Sequence, residues 1–268
     1  MQNSSQQTKV NPLVSLMRQP KLHIKLPSKG QYWPKGSLTS APNDEFPVYS
    51  MTAKDEIMLK NPNAMATGQA VVSVIQSCIP NIVDAWHCST LDMDSLLIAI
   101  RIATYGPTMK VEDNEVDLKT VLDQLYNKIT WAEQLPLDNG LIVHIKPLPY
   151  RAIIKAADES VETQKIMNVV NSETLTEDEK LSKFKDSFFK LTKITISVVA
   201  DSIFQIDTAD GSVTDQEFIN EFIEQCDRDV FNAVKNQLDT LAAQNTISSI
   251  KVNDTDVPLV FEPTTFFA

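Results

Sequence analysis

Apolar and polar side chains alternate over LHIKL (Leu22–Leu26), which predicts a strand, and PVYSM (Pro47–Met51) predicts a second. Pro27–Gly30 between them reads as a turn. Thr52 then opens a short helix, with Asp55 three residues on in the spacing of a capping box. In GQAVVSVIQS (Gly68–Ser77) the apolar positions Ala70, Val71, Val74 and Ile75 share one helical face, and the helix stops before Pro80. Asp92–Thr104 is apolar on nearly every side, from Leu96 through Ala103, with Arg101 as its single basic residue. A helix of that pattern is a buried one, and Arg101 then needs a carboxylate or a route to water. Gly106–Pro107 ends it. A strand at Met109–Glu112, a turn at Asp113–Asn114 and a helix at Leu118–Lys128 follow.

After a junction at residues 129–150 the character changes. Asn139–Gly140 predicts a tight turn ahead of a strand at Leu141–Leu148. From Tyr150 onward the pattern is helical: Tyr150–Asn171, Thr176–Phe204, Asp215–Asp227 and Arg228–Gln244. Thr176 followed by Glu177, Asp178 and Glu179 sets acids against the positive end of a helix dipole. Phe218, Phe222 and Ile223 read as the core stripe of the third of these helices. A hairpin, Ile247–Val252 and Val257–Phe261 about a turn at Asn253–Asp254, closes the chain. The fold expected is α+β: a flexible arm over residues 1–20, a mixed α/β unit over 21–130, then a mainly helical unit over 131–268 closed by a short hairpin and an aromatic tail.

Composition narrows what such a chain does. Hydrophobic residues make up 43% and charged residues 22%, enough for a sizeable core. The net charge of −11 argues against nucleic acid as a partner, although Lys21, Lys25, Lys29 and Lys35 form one local basic stretch. Six glycines and no GxGxxG or GxxxxGK[ST] spacing leave no phosphate cradle. Cys78, Cys88 and Cys226 are too few and too far apart for a disulfide framework, which fits a reducing compartment. The opening residues lack a secretory pattern, and no window approaches the roughly 18 apolar residues of a membrane span.

Reactive constellations are weak. Asp210, Gly211, Val213 and Glu217 match half of a calcium loop, but Ile206 and Thr208 stand where its first and third ligands belong. His87 beside Cys88, with Cys78 nearby, lacks the paired spacing of structural zinc and reads as the edge of a core. His23 and His144 sit in alternating strands at positions expected to face outward. No catalytic residue, metal or cofactor is therefore assigned. The aromatic residues are more informative: Tyr32 and Trp33 follow the basic turn, and Phe266 and Phe267 stand in the closing FEPTTFFA with Phe261. Burying each phenylalanine is worth about 1.5–3 kcal/mol, so they either fold back on their own unit or anchor into a neighbour. Tyr32, Trp33, Phe261, Phe266 and Phe267 are the candidate partner-binding residues.

Three segments in order, LPSKGQYW (Leu26–Trp33), SMTAKDEIML (Ser50–Leu59) and DMDSLLIAIRIATYG (Asp92–Gly106), resemble the baseplate hub family of T-even-like contractile-tailed phages, and FEPTTFFA is similar to the aromatic tail of that group. The likeness is strongest over residues 22–127. It implies a non-enzymatic structural or assembly protein of the tail baseplate hub, made in the host cytoplasm and working through contacts with other tail proteins, with a homo-oligomer in a symmetric tail as one option. The alternatives are a transient assembly chaperone absent from the mature virion, and an enzyme of unrecognised type using His87, Cys88 or scattered acids.

Overall fold

The computed structural model describes residues 13, 17–111, 114–128, 131–171, 175–246, 249–252, 255–258 and 266–267. The fold is α+β. Strands β1 (Leu22–Ile24) and β2 (Phe46–Val48) pair antiparallel, Leu22 opposite Val48. Helices α1 (Ala53–Leu59), α2 (Pro62–Ala66) and α3 (Gln69–Cys78) follow, then α4 (Thr90–Tyr105), a hairpin of β3 (Thr108–Val111) and β4 (Asn114–Asp117), and α5 (Leu118–Lys128). The anticipated capping box forms: Thr52 Oγ1 accepts from the Asp55 amide, and Asp55 accepts from the Thr52 amide at 2.8 Å. Asp55 also takes the Ser77 hydroxyl at 3.0 Å and lies 3.8 Å from Arg18. Arg18 further donates to the carbonyls of Ser50 and Ser77. The chain is thus tied down by Arg18, inside the segment read as an arm; residues 1–12 and 14–16 of that arm lie outside the described residues.

The second half begins with β5 (Gln134–Pro136) and β6 (Ile142–Ile145), then the long antiparallel helices α6 (Tyr150–Val170) and α7 (Glu177–Asp201). Strands β7 (Ile203–Thr208) and β8 (Gly211–Val213) and helices α8 (Gln216–Gln225) and α9 (Arg228–Asn245) follow, with β9 (Ser249–Val252) and β10 (Thr255–Pro258) paired as a hairpin. Sheet order β5-β6-β7-β8 is antiparallel throughout. This sheet is a departure from the sequence pattern. The helix expected to run to Phe204 stops at Asp201, because Ile203 and Ile206 pair with β6 and bury their side chains there.

Two apolar clusters result. One gathers β1, β2, α3, α4 and α5 around Ile75, Leu96, Ile98 and Ile100; the other gathers Val143, Ile145, Ile203, Ile219, Ile223 and Val234. As expected, α4 is buried almost all round. In α8 the buried row is Ile219 and Ile223, with Phe222 packed beside them, whereas Phe218, read as part of the stripe, is exposed. Helix α6 crosses the start of α3 at Gly68, whose φ is +74°. A Cβ there would stand 2.8 Å from the Ile154 side chain, so a side chain fails at this position on both space and backbone conformation.

Candidate docking elements and the cluster that holds them

Asp92, in the first turn of α4, is fully buried. Its carboxylate accepts the Ser28 amide at 2.8 Å, the Ser28 hydroxyl at 2.5 Å and Trp33 Nε1 at 2.8 Å. The turn after β1 supplies these donors because Lys29 N bonds back to Leu26 O at 2.9 Å and Gln31 N to Ser28 O at 3.0 Å, curling the backbone around the carboxylate. Burial pushes the Asp92 carboxyl up, while the hydrogen bonds from Ser28 and Trp33 act in the opposite direction. Two segments 59 to 64 residues apart in the chain are therefore one structural unit.

Tyr32 sits in the left-handed backbone region at φ +67°, unusual for a bulky residue. Its hydroxyl donates to Glu133 Oε1 at 2.6 Å, joining this turn to the segment leading into β5. Burial, then the Glu133 hydrogen bond, raises the Tyr32 pKa.

Phe266 and Phe267 are buried in the first cluster, ring edge to ring face with centroids 5.4 Å apart. Arg101 Nη1 donates to the Phe266 carbonyl at 2.9 Å, and its guanidinium lies 5.4 Å from the Phe266 ring and 5.3 Å from that of Tyr105. The half-buried cation of α4 is thus met by a carbonyl and two aromatic faces. Among the described residues its Nε finds no partner. Arg101 stands nine residues beyond Asp92, roughly 13 Å along the helix and half a turn round it. The aromatic candidates accordingly form two groups on opposite faces of α4: Tyr32 and Trp33 at its start, Phe266 and Phe267 near its end. Phe261 lies outside the described residues.

The residues weighed for chemistry have other occupations. His87 Nδ1 meets Asp84 at 2.8 Å, and its Nε2 faces Arg151 at 3.1 Å. Cys88 is enclosed, its thiol pushed well up by burial and by Asp92 and Asp94. Burial lifts Cys78 to about 12. Both shifts disfavour the thiolate that a nucleophile or metal ligand requires. His144 corrects the outward placement its strand suggested: it is 8% exposed, with Nε2 2.7 Å from Asp207 on the neighbouring strand, and the register shifts directly after it. Asp207 is held down at about 2 by the Ser212 hydroxyl, His144 and Gln205. The half calcium loop is the β7–β8 hairpin followed by α8, which Asp215 caps. Among the described residues no group of three His, Cys, Asp or Glu side chains is placed to share a metal ion.

A cavity of about 360 Å³ lies between the start of α4 and the second cluster, walled by Leu91, Trp131, Leu148, Val199 and Leu238, with the Asp94 carboxyl in its lining. Sequence reasoning passed over Asp94, because its surroundings come from α7 and α9, far along the chain. Burial raises its pKa to about 6. A carboxyl raised on folding holds its proton longer folded than unfolded. The resulting penalty is therefore absent below about pH 4, grows between pH 4 and 6, and is complete above. Asp94→Asn is expected to stabilise the chain by about 1–2 kcal/mol at pH 7, discounted for partial exposure, and by nothing at pH 4. Urea midpoints at the two pH values check this, and equal gains at both would assign the effect to packing instead.

The family model described as T4 bacteriophage base plate protein matches residues 17–268, and the chain belongs to that family. No curated protein and no solved structure matches it. No helix among the described residues is long and apolar enough to cross a membrane.

Proposed function

We propose that this member of the T4 bacteriophage base plate protein family is a non-enzymatic structural or assembly subunit of the baseplate hub, working by contact with other tail proteins. The observation that carries the reading is the use made of Ser28, Trp33 and Asp92. The one fully buried carboxylate of α4 is spent on fastening the turn after β1 to the first turn of that helix. Cys88 and His87, the nearest approach to a nucleophile and base, are a sealed thiol and an imidazole engaged by Asp84 and Arg151. A side chain committed to positioning backbone serves a protein whose product is a surface.

Mass spectrometry of purified tails tests the reading and separates its two versions. A hub subunit is present in stoichiometric amount; a transient assembly factor is required for baseplates to form yet absent from them. Turnover that disappears with the paired substitution His87→Ala and Cys88→Ala, the fold being intact, would overturn both.

A further inference from the structure

Helix α7 carries a surface that its own chain leaves open. Near Val199 and Ala200 it packs into the second apolar cluster, but between Lys180 and Lys193 the one buried side chain is Ser187. Leu181, Phe184 and Phe188 follow one another at helical spacing, and the rings of Phe184 and Phe188 stack at 6.0 Å. Beside that row runs a second, Lys185, Phe189 and Lys193, each four residues from the next. Phe188 is 54% exposed and Phe189 72%. Contiguous aromatic exposure of this kind is unfavourable in water unless something covers it.

The charge of the same stretch is inverted relative to the chain. Residues 180–193 hold five lysines against Asp186, in a protein of net charge −11. Lys180 pairs with Glu177 at 3.2 Å. Among the described residues Lys185 and Lys193, the two lysines of that second row, have no ion-pair partner. Free cations bordering an apolar row specify what fits against them.

We propose that this face of α7 is the docking site for an acidic amphipathic helix of a second tail protein. The inference rests on the baseplate reading above. Apolar residues of the incoming helix would cover Phe184, Phe188 and Phe189, ridge into groove, while its carboxylates meet Lys185 and Lys193. A second copy of this chain is the poorer occupant: a two-fold axis through the face would set those lysines against themselves. An anionic membrane is opposed by the negative charge of the remainder of the chain.

The test replaces Phe189 with a photo-cross-linking amino acid in the full chain and assembles tails in infected cells lacking the native copy. The proposal expects an adduct with another tail protein, mapped to a helix bearing Asp or Glu. It expects adduct yield to fall at least about tenfold when Phe188→Asp, or the double charge reversal of Lys185 and Lys193 to Glu, is added to the cross-linker-bearing chain. Both variants should melt within about 2 °C of the parent, since the altered side chains face solvent. Adducts of the chain with itself would overturn the proposal in favour of a second copy. So would binding of the purified chain to phosphatidylglycerol vesicles that the double charge reversal loses, or undiminished adducts in both variants. Absence of the unmodified chain from every tail complex sinks the baseplate reading along with this one, whereas its presence with unaffected variants sinks this one alone.

Discussion

Asp92→Ala is expected to destabilise the chain by about 3 kcal/mol and to loosen the turn that carries Tyr32 and Trp33. The substitution strands three donors, the Ser28 amide, the Ser28 hydroxyl and the Trp33 indole, at a site with no exposure at Asp92. Each buried donor left without an acceptor costs about 1–3 kcal/mol, more where the lost partner was charged. Against that sum stands a saving, because the carboxylate itself is desolvated where it lies, as its raised pKa records. The donors outweigh the saving because they number three and the alanine methyl answers none. Asp92→Asn keeps one acceptor oxygen but turns an amide N–H₂ toward the remaining donors, so it should recover only part of the loss. A double-mutant cycle between Asp92→Ala and Ser28→Ala, read from urea midpoints, should give a coupling of at least about 1 kcal/mol. Strict additivity would show that the cluster is geometry without energy.

The cluster also marks the boundary of what local sequence pattern can reveal. Helix periodicity and capping depend on residues three or four apart, so α4, α5 and the Thr52–Asp55 box were legible. Asp92 was legible only as the first residue of a helix, because its donors lie 59 and 64 residues upstream. The same blindness produced the error at β7. Eight of the thirteen residues of Ile194–Ile206 are apolar, a density that suits a helix as well as a strand; the decision is made by β6, whose Val143 faces Ile206 across the ladder. His144 was assigned outward by alternation, and the carboxylate that makes its inward placement tolerable, Asp207, stands on the partner strand. Arg101 shows a need read from the sequence with its answer unseen: a carboxylate or a route to water was expected, and the Phe266 carbonyl and two rings meet it.

The seat of Phe266 supplies the second large effect. Phe266→Ala should cost about 3–5 kcal/mol in the isolated chain, the range for removing a buried aromatic ring, which corresponds to roughly 10 °C in melting temperature at this size. The ring is 1% exposed, and three things go with it: its apolar burial, the edge-to-face contact with Phe267, and one of the two aromatic faces over which the Arg101 guanidinium lies. The carbonyl that Arg101 holds belongs to the backbone and survives, so part of the anchorage remains. Phe266→Leu, which refills most of the volume, should cost under about 2 kcal/mol. The experiment separates the two fates open to an aromatic tail. A large melting shift in the purified chain means that the ring's energy is drawn from its own core, and any partner using it must first extract it from beside Arg101. An unchanged melting temperature with loss of tail assembly would mean that the ring belongs to a neighbour. The packing around α4 favours the first, because a side chain this enclosed has almost no surface left to offer.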